Sequence, residues 1–373
     1  MKKYLLSCLA LYPLLLCAQK NVDLDRFRFR VNYMMLPKAP LNVAYCTYNV
    51  KVNGPDLMKP YLEQLNPENR VLLANWKQLP ENGHISIAVK LENLIPEAVS
   101  VKERIQTTKD KNEVITSTKT FYRQEVVYSF AAQASIKDYK GNPVGDEILA
   151  DRNDKQVYRS PEFTLKGMAE GYFVLNAMQI NKDLYTGSVN RALSLLSERI
   201  STNFGYTETT ASDFMWIIGS RKHPEYADNR RRKHPEYADN RRMMLLLQEV
   251  LFTLSAKTPI DGAREKLQPA INYFEKVKTN YSSSSKHDRK MRYSSYFNLA
   301  VLYYYLDDPQ AMMKQASGLA LNDYDTKDAR GFMETAASLK NQLEQNNVMS
   351  RHFNIDTSGF RGPLDKNTSV VTK

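Results

Sequence analysis

The sequence predicts an α+β protein of two domains, an antiparallel β-sandwich followed by an antiparallel α-helical domain. Apolar and polar residues alternate with period two from about residue 25 to 165, and from about residue 187 the period becomes helical. The chain has 373 residues, a length that fits a split into two cores. The reading divides it into a leader (1–18), a β-sandwich domain (19–165), a linker (166–186), a helical domain (187–346) and a partly disordered tail (347–373).

The leader MKKYLLSCLALYPLLLCAQK has two lysines, an apolar run from Tyr4 to Leu16 and a small residue, Ala18, after which cleavage is expected. The run is shorter than the about 20 residues a membrane-spanning helix needs. Lipidation at Cys17 is the alternative, disfavoured by Leu16 in the position before it. An exported protein, periplasmic or envelope-associated and without a transmembrane segment, is therefore expected. Cleavage leaves Cys46 as the one cysteine, so the mature chain has no internal disulfide and depends on its core.

In RFRFRVNY, Phe27, Phe29, Val31 and Tyr33 point one way and Arg28, Arg30 and Asn32 the other. AYCTYNVKVNG alternates likewise, with Cys46 on a strand face as a small apolar residue, and HISIAVKLE sets Ile85, Ile87, Val89 and Leu91 on one side. QTTKDKNEVITSTKT reads as a long exposed hairpin or loop, and EVVYSFAAQASIKDYKGNPVG as a strand running into turns. Several strands without intervening amphipathic helices predict a sandwich of immunoglobulin-like type. PDLMKPYLEQLNPENRVLLANWKQL includes room for one short helix.

SVNRALSLLSERIS, REKLQPAINYFEKVK, YFNLAVLYYYL, PQAMMKQASGLAL and DARGFMETAASLKNQLEQ carry apolar residues three and four apart, with short breaks between them. MMLLLQEVLFTL is apolar on nearly every side and is expected to be buried between neighbours. Tyr296, Leu299, Ala300 and Tyr303 follow the order aromatic-x2-Leu-small-x2-Tyr, and Ala270 and Phe274 the order Ala-x3-Phe. These about 60 residues resemble the tetratricopeptide-repeat family, with Ala300 where that family has glycine and Tyr296 where it has tryptophan. The resemblance implies paired helices whose stacked faces form a groove for a peptide or protein.

RKHPEYADNRRRKHPEYADNRR, residues 221–242, is one eleven-residue phrase written twice. Each copy carries a net +2, so the pair supplies +4 of the +9 that remains when Lys2 and Lys3 leave with the leader. Without the duplication the chain is mildly basic, which argues against a polyanion binder. The second copy, with Pro235 and Glu236 at a helix start, runs into MMLLLQEVLFTL, and the first copy is surplus.

The five histidines show no His-x3-His or His-Glu-x2-His spacing, and no Gly-x-Ser-x-Gly elbow occurs. The sequence therefore calls for no metal, no cofactor and no catalytic residue. Asp307–Asp308 and the pair Asp151 and Asp154 read as turn residues that accept backbone N–H groups. In Tyr303-Tyr304-Tyr305, successive side chains rotate by about 100°, so Tyr304 or Tyr305 is expected on an exposed surface as an anchor for a partner. Lys286 and Arg289, in a basic run that opens a helix, are the second pair of candidate partner-binding residues. The expected function is that of an exported, non-catalytic scaffold or adaptor that binds a protein or peptide partner in the cell envelope. The alternatives are a glycan-active hydrolase, whose two carboxylates need no local motif, and a carbohydrate- or polyanion-binding module. Nucleic acid is disfavoured, since the basic runs lack interleaved aromatic residues for base stacking.

Overall fold

A computed structural model of the chain describes residues 22–219 and 236–365. In order, these hold β1 (Leu24–Met35), β2 (Thr47–Asn53), α1 (Lys59–Leu65), β3 (Lys77–Gln78), β4 (Ile85–Leu91), β5 (Ile95–Lys109), β6 (Ile115–Ser129), β7 (Ala132–Asp138), β8 (Pro143–Ala150) and β9 (Gln156–Arg159). After these come α2 (Lys166–Phe204), β10 (Thr207–Ile218), α3 (Tyr237–Thr253), α4 (Asp261–Asn280), α5 (Lys286–Tyr305), α6 (Pro309–Leu321) and α7 (Lys327–Gln345). The architecture is α+β, rich in antiparallel strands in its first half and helical in its second. The chain forms two units. One, the helical unit, comprises Met1–Tyr33, Thr209–Glu344 and Met349–His352; the other, the sheet unit, comprises Met34–Glu208, Gln345–Val348 and Phe353–Lys373.

The sheet unit contains a five-stranded sheet in the order β3-β2-β4-β7-β8 and a three-stranded sheet in the order β5-β6-β9. The first sheet is mixed. β2 runs parallel to β3 and β4, while β4, β7 and β8 are antiparallel, so the expected all-antiparallel pairing is corrected. Residues 54–84, with α1 among them, make the crossover that a parallel pair requires. Along β4 the side chains of Ile85, Ile87, Val89 and Leu91 are buried and Ala88 and Lys90 are exposed, as period-two alternation dictates. The expected exposed hairpin is β5–β6. At its tip, the Asp110 carboxylate accepts the N–H groups of Asn112 and Val114 at 2.8 and 2.9 Å.

Residues 166–186, expected as a linker, are the first half of the 39-residue helix α2. No proline interrupts this stretch, and the exposed apolar side chains of its first turns hide the helical period from the sequence. The second half of α2 buries Tyr185, Val189, Leu193, Leu196 and Ile200 among Tyr48, Ile87, Val89 and Ala134 of the five-stranded sheet. Helix α2 thus belongs to the strands before it, and the helical region does not begin at 187 as a separate body. At its end, a Cβ on Gly205 would stand 2.9 Å from the Ser201 carbonyl oxygen and 3.0 Å from that of Ala74, so only glycine fits. The tail is ordered well past 347. Phe353, Ile355 and Phe360 are buried, and Lys77 Nζ donates to the carbonyls of Ser358 and Phe360 at 3.1 Å. Residues 366–373 of the expected tail, and the whole leader, lie outside the described residues.

The helical unit is not purely helical. β1, read above as part of the β domain, pairs with β10, a strand the period change concealed. Phe29, Val31 and Met215 of this ribbon enter the core formed by Met244, Leu247, Leu267, Phe274 and Leu302. α3 begins at Tyr237, and Pro235 lies outside the described residues. Leu245 and Phe252 of α3 are 52% and 66% exposed, so this helix is buried on one side rather than all round. Asn240, from the second copy of the repeated phrase, is buried, and its side-chain oxygen accepts the Ile218 N–H at 2.9 Å. Short turns join α4, α5, α6 and α7. Ser285 caps α5 by accepting the Asp288 N–H, and Asp308 caps α6 by accepting that of Ala311. Where α5 meets α6, a Cβ on Gly318 would lie 2.3 Å from the Tyr296 ring, so the missing side chain admits the aromatic.

Candidate functional site

The candidate site is an open groove of about 390 Å³ between the end of α5 and the outer face of α7. Its α7 lining, Gly331, Glu334, Thr335, Ser338, Leu339 and Gln342, recurs at three- and four-residue spacing and so forms one helix face about 16 Å long. The other side of α7 buries Ala329, Ala336 and Leu343, with the buried Leu339 at the boundary between the two faces. That division leaves hydroxyl, amide and carboxylate groups along the groove, with Leu339 and the Tyr304 ring as its apolar floor. Thr335 spends its hydroxyl proton on the Gly331 carbonyl at 2.8 Å, which keeps the side chain aligned with the helix.

Tyr304 is held from behind. The Arg351 guanidinium lies over its ring at 4.4 Å and over the Tyr33 ring at 4.3 Å, and Arg351 Nη2 donates to the Tyr304 carbonyl at 2.6 Å. Arg351 in turn donates from Nε to Asp307 Oδ1 at 2.6 Å, and both residues are almost wholly buried. The other carboxylate oxygen accepts the Arg351 N–H at 2.6 Å and the Ser350 hydroxyl at 2.8 Å. Burial works against the Arg351 charge, and Asp307 together with the Tyr304 side chain more than reverses it, so its pKa is raised. Asp307 adopts φ 52°, a left-handed conformation that Asp tolerates better than most residues, and it ends α5 there. Of the neighbouring pair Asp307–Asp308, read as turn residues, Asp308 is a cap and Asp307 is half of a buried ion pair.

The other candidates fall elsewhere. Tyr305 is not exposed. Its ring packs edge-on to Phe29 at 5.5 Å and its hydroxyl donates to Asp213 at 2.9 Å, because the α5 face that carries Tyr305 is the one covered by the β1–β10 ribbon. Desolvation and the Asp213 carboxylate raise its pKa. Lys286 is exposed at the first position of α5, whereas Arg289 is paired with Asp323 at 3.0 Å. In the same run, Lys290 donates to the Val22 carbonyl at 2.6 Å and Arg292 to the Asn322 side chain at 2.8 Å. These cations secure the start of α5 and leave Lys286 as the exposed member. Residues 221–235 of the repeated phrase, with the basic groups of its first copy, lie outside the described residues.

Among the described residues no three His, Cys, Asp or Glu side chains are placed to hold a metal ion. His84 and His352 are buried, and desolvation lowers both pKa values. His84 Nδ1 is hydrogen-bonded to the Thr47 hydroxyl at 2.7 Å, and His352 Nδ1 faces the Ser255 carbonyl at 3.0 Å. The Cys46 thiol, half-buried beside Tyr45 and Trp76, is pushed up to about 11 by burial and stays protonated at neutral pH. Sequence reasoning singled out Tyr304 but missed Arg351 and the α7 face. The latter had a signal in the small and polar residues spaced three and four apart in DARGFMETAASLKNQLEQ.

No family model matches this chain, and no curated protein matches it. Among solved structures it is similar to one from Helicobacter pylori, described as a neuraminyllactose-binding hemagglutinin homologue. The identity is 11%, the match covers 43% of this chain and 95% of the other, and the TM-score is 0.16. Among the described residues no helix is long and apolar enough to cross a membrane.

Proposed function

We propose that this protein is an exported, non-catalytic adaptor that holds an extended peptide or protein segment in the α7 groove. The observation that carries the reading is the open groove with Tyr304 on its floor and hydrogen-bonding side chains along one wall. A rigid aromatic ring behind a row of hydroxyl and amide groups suits a peptide, whose backbone needs donors and acceptors while its side chains need apolar contact. The tetratricopeptide-like part of the reading is supported by Tyr296 seated on Gly318, and by Ala300 packed with Met312 and Ala336. An immunoglobulin-like origin for the strand region rests on the strand spacing alone. Export rests on the leader sequence.

The test uses Ser338, which is exposed in the groove and outside the core. The native protein and a Ser338→Arg variant are purified from the organism's own envelope, and the co-purifying chains are identified by mass spectrometry. A partner retained by the native protein and reduced at least ten-fold by Ser338→Arg is expected. Recovery of no partner, or of one indifferent to the substitution, refutes the groove as the binding site.

A further inference from the structure

Helix α2 carries one seam along most of its length, apolar except for Lys182 between its two halves, and only half of that seam is covered. Met168, Gly171, Leu175, Met178, Lys182, Tyr185, Val189, Ala192 and Leu196 follow each other at alternating spacings of three and four, the heptad pattern of a coiled coil. From Tyr185 onward the seam is buried against the five-stranded sheet. Toward the N-terminus the same face is bare: Met168 is 51% exposed, Leu175 86% and Met178 80%, with Val174 beside them at 74%. This half of α2 is held from its other side, where Tyr172 meets the Phe163 ring at 5.4 Å and Phe173 meets that of Tyr158 at 6.4 Å. The open seam is therefore not needed to keep the helix in place.

We propose that the exposed seam, Met168 to Met178, pairs with the same segment of a second copy of this chain in an antiparallel, two-fold arrangement. Antiparallel heptads set each a position against a d position. Here Met168 meets the partner's Met178, and Leu175 meets the partner's Gly171. Nothing lies within 4 Å of where a Cβ on Gly171 would stand, so this glycine offers an empty hole for a leucine. A parallel pair would set glycine on glycine, leave that hole unfilled and bring the two Lys182 ammonium groups together. Size and charge thus both favour the antiparallel pair, and a two-fold satisfies each contact twice. The paired stretch is about 16 Å long and buries on the order of 1,000 Å² in all, at the low end for a specific interface, so association in the micromolar range is expected. The pairing is independent of the α7 groove.

Sedimentation velocity of the purified full chain over a concentration series tests the proposal. The native chain is expected to pass from monomer to dimer, and Leu175→Asp to weaken that association at least ten-fold with unchanged circular dichroism, since Leu175 is outside the core. The double variant Met168→Cys/Met178→Cys distinguishes the orientation. Its two introduced cysteines are about 15 Å apart on one helix and cannot bridge to each other within a chain. Oxidation is expected to give a covalent dimer whose bridged peptides pair residue 168 with residue 178. A chain that is monomeric throughout, a dimer indifferent to Leu175→Asp, or bridges joining 168 to 168 overturns the proposal. So does Leu175-dependent co-sedimentation with phosphatidylcholine–phosphatidylglycerol vesicles, which would give the seam to a lipid surface.

Discussion

Among the buried polar groups, each unit has a centre at its core residues, Asp307–Arg351 in one and Thr47–His84 in the other, and the two are built on opposite principles. In the helical unit the centre is charged: Asp307 and Arg351, 44 positions apart in sequence, form a bidentate-like knot with Ser350 and two tyrosine rings. In the sheet unit the centre is neutral. Thr47 and His84, from neighbouring segments of the β2–β4 pair, are hydrogen-bonded to each other, and Asn49 accepts the Gly83 N–H at 2.9 Å and the Ser86 hydroxyl at 2.8 Å. A buried charge pair adds little net stability yet is severely missed when one partner goes, because the survivor is left desolvated and alone. A neutral cluster loses one hydrogen bond at a time.

The sharpest way to break the comparison is to remove one charge. Arg351→Met is expected to destabilise the helical unit by about 3–5 kcal/mol in a denaturant titration. Asp307→Asn combined with Arg351→Met should recover a large share of that loss, since Asn also tolerates the left-handed backbone at 307. In the neutral centre, Thr47→Val keeps the shape but strips partners from His84, with an expected cost of about 1–3 kcal/mol. A Thr47→Val loss as large as that of Arg351→Met would erase the distinction between the two centres.

Acid acts on both units through one buried histidine in each. The folded pKa values of His84 and His352 lie below the unfolded value of about 6.5, so the unfolded chain binds protons that the folded chain refuses. Stability is therefore complete above pH 6.5 and falls as the pH drops from there toward the folded pKa values. Thermal midpoints at pH 7.5 and 5.5 should show this loss, and His84→Asn should reduce it. The smallest effect is expected from excising residues 221–231, which should change the unfolding free energy by no more than about 1 kcal/mol.

Local patterns carried much of the fold. Alternation exposed β4 and the helical period exposed α4 to α7, because each depends on which side of one element faces the core, while the polar run QTTKDKNEVITSTKT marked the exposed β5–β6 hairpin. Pairings across long separations left no such trace. β1 alternates as any strand does, and nothing in RFRFRVNY says that its partner is β10 rather than a nearby strand. The start of α2 was hidden because Leu175 and Met178 break the polar face that a helix in an isolated unit would show. At the candidate site, three consecutive tyrosines fixed the residues but not the rotation. That was set by Phe29 and Asp213, which draw Tyr305 inward and leave Tyr304 at the groove.

The bond from Ile218 to the Asn240 side chain has a bearing on how this gene can change. It fastens the end of β10 to the first turn of α3, so the 17 residues between Ile218 and Glu236 begin and end at neighbouring points. Removing one copy of the phrase leaves six residues, a reach of about 20 Å, enough to rejoin them. The cost of closing such a tether grows only with the logarithm of its length. Loss of one copy from such a position is therefore expected to leave the bond between Ile218 and Asn240 in place.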